Sequence, residues 1–240
     1  MRARTLAPLV LCAWAACAAA TTPPPGRPVA PALPWHLRGV LELPATAGPH
    51  PGVVLLPGAG GWAPRYQNVA RALADSGFAA LALDYYGVEG PATSGAELVT
   101  KSTLWRQHIG DAVRLLRSSA AKGRPVALVG FSRGAFLAIM VANRTPGVAA
   151  VVDYFGGAQI DPDSLHAQMR AFPPVLILHG DSDRIVPVEE AYRLQHEVES
   201  RGGTAEMHIY PGGSHGFTDP AMMRDAFGRT VAFLRRRLGG

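Results

Sequence analysis

Short apolar runs alternate along the chain with longer stretches of helical spacing, and this alternation constrains the fold more than any other feature. Strands that are apolar on both faces are typical of a parallel sheet that helices cover on both sides. The sequence therefore predicts an α/β fold with a mostly parallel sheet. The predicted strands cover residues 37–43, 53–56, 79–83, 125–129, 148–152, 175–178 and 206–210, and the predicted helices cover 66–76, 104–121, 133–142, 188–200 and 221–238.

The composition indicates one large folded domain. Of the 240 residues, 48% are hydrophobic and 17% are charged, and the formal net charge is +5. The positive residues are scattered apart from the run 235–237, whose place at the end of a predicted helix favours the helix dipole. The sequence thus indicates no nucleic-acid surface. Because no large insertion separates the elements, we expect one domain over residues 35–240, no large lid domain, and the loop 87–101 as a cap over the site.

The N-terminus has the layout of a secretory signal peptide. Two arginines, Arg2 and Arg4, precede an apolar stretch that ends in three alanines at 18–20. This stretch is too short for a membrane span, so we expect none. The sequence predicts a signal peptide over residues 1–20, a proline-rich linker over 21–34, and export to the periplasm or the medium. Both cysteines lie within the signal peptide, and a lipid anchor at Cys17 is the alternative.

A glycine-flanked serine follows one of the predicted strands directly. Residues 130–134 read Gly-Phe-Ser-Arg-Gly and connect the fourth predicted strand to the helix that follows it. A serine at such a sharp strand-to-helix turn is exposed above the sheet, close to the positive end of the helix dipole. Ser132 is therefore predicted to be a nucleophile. The alternative is that Ser132 only caps the helix.

Two further strand ends carry the groups that an activated serine needs, a base and a carboxylate that orients the base. His215 follows the last predicted strand within a glycine-rich segment, and Asp183 follows the sixth. Asp153, at the end of the fifth strand, is the rival acid. A metal site at His179, Asp181 and Asp183 is disfavoured, because these residues share one short loop and lack a further ligand.

Several motifs resemble those of the α/β-hydrolases, and among them those of the dienelactone hydrolase family. The resemblance extends from about residue 52 to 238 and rests on the segments VVLLPGAGGW, FAALALDYYG, VALVGFSRGA, VVDYFGG, VLILHGDSDRIVP and YPGGSHGF. It implies the α/β-hydrolase fold and a catalytic triad of Ser132, Asp183 and His215. Two positions differ from dienelactone hydrolases themselves: Ser132 replaces a cysteine nucleophile, and Asp219 stands where an arginine holds the substrate carboxylate.

The resemblance also implies an oxyanion hole formed by two backbone N–H groups. One belongs to Arg133, the residue after the nucleophile, and the other to Gly58 or Ala59 in the loop after the second predicted strand. The sequence leaves the choice between Gly58 and Ala59 open. Aromatic residues that follow strand ends are predicted to line an apolar substrate pocket, and they are Trp62, Tyr85, Tyr86, Tyr154, Phe155 and Phe217.

Together these residues predict a serine hydrolase that cleaves carboxylic esters or lactones through an acyl-enzyme. A small-molecule ester is the expected partner, and neither a metal nor another cofactor is expected. A thioesterase or an acyltransferase of the same fold is the first alternative, since the same residues support that chemistry. The second alternative is a catalytically silent binding protein, which the complete set of Ser132, Asp183 and His215 disfavours.

Overall fold

A computed structural model describes residues 33–34, 36–158 and 172–239 of the chain. The predicted signal peptide, both cysteines and most of the proline-rich linker lie outside the described residues. All of the predicted strands and helices lie within them, so their positions can be compared one by one.

The described residues contain seven strands, which are β1 (Arg38–Glu42), β2 (Gly52–Leu56), β3 (Ala79–Asp84), β4 (Val126–Phe131), β5 (Val148–Tyr154), β6 (Val175–Gly180) and β7 (Ala205–Tyr210). They form one sheet in the order β1-β3-β2-β4-β5-β6-β7. Strand β1 runs antiparallel to β3, and every other neighbouring pair is parallel. The prediction of a mostly parallel sheet is confirmed.

Five helices lie in the described part of the chain, and they are α1 (Pro64–Asp75), α2 (Gly95–Ser118), α3 (Arg133–Ala142), α4 (Glu189–Ser200) and α5 (Pro220–Leu238). Together they cover both faces of the sheet. None of the helices in the described residues is long and apolar enough to cross a membrane.

Strand β2 shows why the central strands contain no polar alternation. Val54 and Leu56 belong to the apolar cluster that includes helices α2, α3 and α4, whereas Val53 and Leu55 belong to the cluster that includes α1 and α5. All four side chains are fully buried. A strand that is buried on both faces needs apolar residues at every position, so its sequence is a continuous apolar run.

Helix α2 begins well before its predicted start, at Gly95. Ser94 is its N-cap, and the Ser94 hydroxyl accepts the Glu97 N–H at 3.2 Å. The prediction of a loop over residues 87–101 is therefore wrong for its second half. The first turns of α2 carry exposed apolar residues such as Val99, so they have no buried stripe that hydrophobic periodicity could reveal.

The parallel strands bring their carboxyl ends to one edge of the sheet, where ligands bind in open α/β folds. Strand β4 ends directly before Ser132. Asp183 follows β6, and His215 follows β7. The fold therefore carries three residues that are far apart in sequence to the same edge.

Candidate active site

The serine of the Gly-Phe-Ser-Arg-Gly segment lies at a strained turn between β4 and α3. Ser132 has φ 52° and ψ −117°, a conformation that residues with side chains rarely adopt and that is often found at functional sites. A side chain at Gly130 would overlap the backbone of α3, and one at Gly134 would overlap that of β2. The Ser132 side chain makes no capping hydrogen bond to α3. The turn thus leaves the hydroxyl free for another partner.

That partner is His215, and the two residues form a hydrogen-bond chain with Asp183. The Ser132 hydroxyl donates to His215 Nε2 at 3.0 Å, and His215 Nδ1–H donates to Asp183 Oδ2 at 2.7 Å. The His215 side chain is 23% exposed, whereas the Asp183 side chain is completely buried. The structure therefore brings together the three residues that the sequence singles out. The imidazole of His215 is partly exposed to solvent, whereas the Asp183 carboxylate that contacts it is buried.

The Asp183 carboxylate is held in its charged form by N–H groups. Burial by itself would raise the pKa of Asp183, but the N–H groups that point at the carboxylate outweigh it and hold the pKa below its usual value. They come from the His215 ring and from the backbone of Ile185 and Val186, which donate to Oδ1 at 2.8 and 2.9 Å. Asp183 is therefore ionised at neutral pH and can stabilise a positive charge on His215.

Asp153, the rival acid, lies at the end of β5 and has a different partner. Its side chain is completely buried, Oδ1 accepts the Gly156 N–H at 2.9 Å, and Oδ2 has no hydrogen-bond partner among the described residues. Burial raises the pKa of this carboxyl to about 7, although nearby backbone N–H groups oppose the shift. A carboxyl that is half protonated near pH 7 is poorly suited to stabilise an imidazolium. The geometry therefore favours Asp183 over Asp153 as the acid.

Replacing Asp153 with asparagine is expected to change the stability of the protein in a pH-dependent way. The pKa of about 7 in the folded protein lies above the ordinary value of 3.8. The protonated carboxyl therefore stabilises the fold fully below about pH 4, and this contribution is lost as the pH rises to about 7. Asparagine has the same shape and does not ionise. The free energy of unfolding of the variant, relative to that of the wild type, should thus rise by roughly 3 kcal/mol between these pH values.

Urea unfolding of both proteins at a series of pH values measures this difference. Other groups titrate alike in the two proteins and cancel. A difference in the free energy of unfolding that stayed constant from pH 4 to pH 7 would contradict the argument from burial.

The loop of residues 57–62, which follows β2, is held by tyrosine side chains. The peptide unit between Pro57 and Gly58 is bound at both ends. Tyr85 Oη–H donates to the Pro57 carbonyl at 2.9 Å, and the Gly58 N–H donates to Tyr66 Oη at 3.0 Å. The Gly58 N–H is therefore already engaged within the fold. Tyr66 is a residue that the sequence analysis missed, and no local pattern in the sequence signals its approach to this loop.

The Ala59 N–H is a free donor within the 57–62 loop. Its carbonyl accepts Tyr86 Oη–H at 3.0 Å, and the Gly58 carbonyl accepts the Gly61 N–H at 2.9 Å, so both peptide orientations are fixed. The Ala59 N–H has no hydrogen-bond partner among the described residues. Arg133 is the first residue of α3, where an N–H group has no partner within the helix. Of the two candidates left open by the sequence, the geometry thus favours Ala59.

Tyr85 and Tyr86 have a different role from the pocket walls that the sequence predicts. Only 1% and 4% of their surfaces are exposed, because their hydroxyls turn inward to the 57–62 loop and their rings pack against Trp105. Arg133 Nη1–H donates to Tyr86 Oη at 3.0 Å and adds a further support. These tyrosines therefore hold the loop in place and leave little surface for a ligand. Trp62 is only half-buried and remains available to one.

Tyr154, Phe155 and Phe217 form a buried aromatic layer against His215. The edge of the Phe155 ring contacts the His215 ring, with 5.0 Å between ring centroids, and Phe217 contacts Phe155 at 5.3 Å. Tyr154 shares a hydrogen bond with Thr230 at 2.7 Å. Phe155 and Phe217 have φ values of 41° and 46°, which are strained for aromatic residues. These side chains support the imidazole. Because they are buried, they offer little surface to a ligand, which differs from the pocket wall that the sequence predicts.

Two other residues that the sequence singles out have partners within the fold. His179 Nε2–H donates to the Val186 carbonyl at 2.9 Å, and burial lowers the pKa of His179, so this ring is neutral at pH 7. Asp219 caps helix α5 and accepts the Ala221 N–H at 2.8 Å. In the described residues, no group of three His, Cys, Asp or Glu side chains is arranged to hold a metal ion.

The chain is similar in sequence to known hydrolases. The model of the dienelactone hydrolase family matches residues 37–232. Human mitochondrial acyl-coenzyme A thioesterase 2 is 33% identical over 170 residues, which cover 70% of this chain and 33% of that protein. The chain thus spans about a third of the length of this thioesterase. A Bradyrhizobium protein named "Probable 2-oxo-3-(5-oxofuran-2-ylidene)propanoate lactonase" is 27% identical over 224 residues, which cover 83% of this chain and 89% of that protein.

Solved structures share the same fold. A dienelactone hydrolase-like promiscuous phosphotriesterase from metagenomic libraries superposes with a TM-score of 0.71 at 24% identity, covering 84% of this chain and 92% of that one. Esterase PE8 superposes with a TM-score of 0.69 at 24% identity, covering 84% of this chain and 99% of that one. These neighbours confirm the α/β-hydrolase fold. With the family model matched over residues 37–232, the chain belongs to the dienelactone hydrolase family.

Proposed function

We propose that the protein is a serine hydrolase that cleaves carboxylic esters through an acyl-enzyme. The observation that carries the proposal is the hydrogen-bond chain from Ser132 through His215 to Asp183, with distances of 3.0 and 2.7 Å. A hydroxyl, an imidazole and a buried carboxylate in this order can generate a nucleophile at neutral pH. Membership of the dienelactone hydrolase family and the hydrolase names of its relatives support ester hydrolysis.

The first half of the reaction acylates the serine. His215 Nε2 takes the proton of Ser132 as Oγ forms a bond to the ester carbonyl carbon, and the π electron pair of the carbonyl moves to its oxygen. The tetrahedral intermediate then collapses, and the bond to the alcohol oxygen breaks. The leaving alcohol takes the proton from His215. Asp183 keeps the proton of His215 on Nδ1 and stabilises the imidazolium while it exists.

The second half returns the serine to its starting state. A water molecule gives one proton to His215 Nε2 as its oxygen attacks the acyl carbon. The bond to Ser132 Oγ breaks, and the imidazolium returns its proton to that oxygen. In both halves the negative oxygen lies near the N-terminus of α3, where the helix dipole and the Arg133 N–H favour negative charge. Ala59 is the proposed second donor.

Reaction with a fluorophosphonate tests the proposal directly. An activated serine oxygen attacks the phosphorus atom and displaces fluoride, and the adduct adds a defined mass to one peptide. We expect the native protein to be labelled on the peptide that contains Ser132, and heat-denatured protein to remain unlabelled, because only the folded chain aligns Ser132 with His215. Mass spectrometry of a proteolytic digest gives the site. Folded protein that does not react would contradict the proposal and favour the binding-protein alternative.

A thioesterase is the second candidate function. It is favoured by the 33% identity to a human acyl-coenzyme A thioesterase, although that protein is about three times as long as the matched region. The test is a matched pair of substrates that share the acyl group and the leaving chain and differ only in oxygen or sulfur. A higher kcat/KM for the oxygen ester supports the esterase, and a higher value for the thioester supports the thioesterase.

We also propose that the protein is exported. The support is the order of features at the N-terminus, with two arginines, an apolar stretch and the alanines at 18–20. The intact mass of protein purified from its host distinguishes cleavage near Ala20 from lipidation of Cys17. An uncleaved N-terminus would contradict export by this route.

A further inference from the structure

Tyr66 is a buried tyrosine of helix α1 whose hydroxyl reaches the 57–62 loop. The residue is 4% exposed, and its ring packs against the ring of Phe131, 5.5 Å away between centroids, and against the Arg65 guanidinium, 4.8 Å from the ring centroid. The hydroxyl oxygen accepts the Gly58 N–H at 3.0 Å. The position of this oxygen is therefore set by packing on the ring and by one hydrogen bond.

The proton of the Tyr66 hydroxyl has no acceptor among the described residues. Three other buried tyrosines differ in this respect. Tyr85 and Tyr86 donate to carbonyls of the 57–62 loop, and Tyr210 donates to a carboxylate at 2.8 Å. A phenolic oxygen can accept one hydrogen bond and donate another, and buried polar groups usually find partners. Tyr66 thus has a donor that the described part of the fold does not use.

The hydroxyl of Tyr66 and the nucleophile border the same small space. A Cβ atom at position 58 would lie 3.3 Å from the Phe131 carbonyl oxygen, 3.6 Å from Ser132 Cβ and 3.8 Å from Tyr66 Oη. Because residue 58 is glycine, no side chain fills this space. An ester carbonyl that Ser132 attacks must point its oxygen toward the loop that carries the Ala59 N–H. The unused Tyr66 donor therefore lies on the side of the nucleophile where negative charge develops.

We propose that Tyr66 is a catalytic side chain that donates a hydrogen bond to the oxyanion, beside the backbone N–H groups of Ala59 and Arg133. The inference rests on the proposed acyl transfer to Ser132. As the π electron pair moves to the carbonyl oxygen, the hydrogen bond from Tyr66 Oη–H shortens and strengthens. The phenolic proton stays on Tyr66, since His215 carries out the proton transfers. The donor lowers the barrier because it binds the transition state more tightly than the ester.

The variant Tyr66→Phe tests this role, with Tyr85→Phe as its matched control. Both substitutions remove one hydroxyl that is bound to the same peptide unit of the 57–62 loop, but only Tyr66 has an uncommitted proton. We expect Tyr66→Phe to lower kcat about 10²-fold with little change in KM, as for the loss of one oxyanion donor. Tyr85→Phe should lower kcat at most about tenfold, the effect of one lost structural hydrogen bond.

The affinity for a tetrahedral analogue distinguishes a hydrogen bond to the oxyanion from mere support of the 57–62 loop. An alkyl boronic acid forms a bond to Ser132 and mimics the oxyanion, so its affinity should fall about 10²-fold in Tyr66→Phe and much less in Tyr85→Phe. Equal losses in both variants, or an unchanged kcat in Tyr66→Phe, would overturn the inference. Wild-type activity and Ser132 labelling are measured in the same preparations. If these are absent, the proposed function itself has failed.

Fluorinated tyrosine keeps the test valid if Tyr66→Phe does not fold. Trifluorotyrosine at position 66 retains the shape of the ring and the acceptor for the Gly58 N–H, but its phenol loses its proton at a lower pH. We expect kcat to fall at high pH in this protein while the wild type stays active, because an ionised phenol cannot donate to the oxyanion. A pH profile identical to that of the wild type would overturn the inference.

Discussion

Replacing Ser132 with alanine is expected to lower kcat for ester hydrolysis by about 10⁶-fold, as in serine hydrolases whose nucleophile has been removed. In the proposed mechanism the Ser132 hydroxyl forms the covalent bond to the substrate, and it lies 3.0 Å from the base. Alanine fits the strained turn without a new contact, because it only removes an oxygen. Hydrolysis of a short-chain 4-nitrophenyl ester, followed by absorbance, gives kcat and KM for both proteins.

The variant Ser182→Ala is the control for this substitution. Ser182 follows β6 at the same edge of the sheet, and its hydroxyl donates to the adjacent Asp181 carboxylate at 3.1 Å. Among the described residues its hydroxyl has no hydrogen bond to His215, so the loss of this hydroxyl should change kcat by no more than a few-fold. If Ser132→Ala kept one hundredth or more of the wild-type kcat, the acyl-enzyme mechanism would be wrong.

The fold and the three central residues were accessible from the sequence for a common reason. Each depends on a local pattern, an apolar run or a short segment that follows it. Asp183 and His215 could be chosen because the carboxyl ends of parallel strands meet at one edge, so a position directly after a strand predicts proximity without a contact map. The glycines on either side of Ser132 mark the turn, because no side chain fits between α3 and β2 there.

The aromatic residues could not be assigned from the sequence, since their roles depend on contacts between distant segments. Tyr85 and Tyr86 follow β3 directly, and nothing local shows whether their rings face a pocket or the core. In the structure their hydroxyls find carbonyls of the 57–62 loop, about 27 residues away in sequence. The choice between Gly58 and Ala59 depends in the same way on Tyr66, which engages the Gly58 N–H from helix α1.

The early start of α2 illustrates a second limit. The prediction relied on a buried stripe, but the first turns of this helix expose Val99 to solvent. The signal was instead the cap at Ser94 with Glu97 three residues later. A prediction that used capping residues as well as hydrophobic periodicity would place the start of α2 directly after Ser94.

Replacing Asp183 with asparagine is expected to lower kcat about 10⁴-fold and to leave the fold intact. The Asp183 carboxylate accepts the His215 Nδ1–H at 2.7 Å and two backbone N–H groups. An asparagine can keep its oxygen on the backbone groups, and its amide nitrogen then donates to His215 Nδ1. The proton of the imidazole moves to Nε2, so the ring can no longer take the proton of Ser132. Ester kinetics near pH 8 measure the loss.

The variant Asp153→Asn tests the same chemistry at the rival position and decides between the two carboxyls. Asp153 is bonded to Gly156 instead of His215, and burial raises its pKa to about 7, so it is half neutral at the pH at which Asp183 is fully charged. Its substitution should change stability strongly and kcat by no more than a few-fold. If Asp153→Asn lost the activity and Asp183→Asn kept it, the acid would be Asp153, and His215 would have to change its partner during the reaction. The pair of variants thus separates a carboxyl that orients the base from one that is only buried at the end of β5.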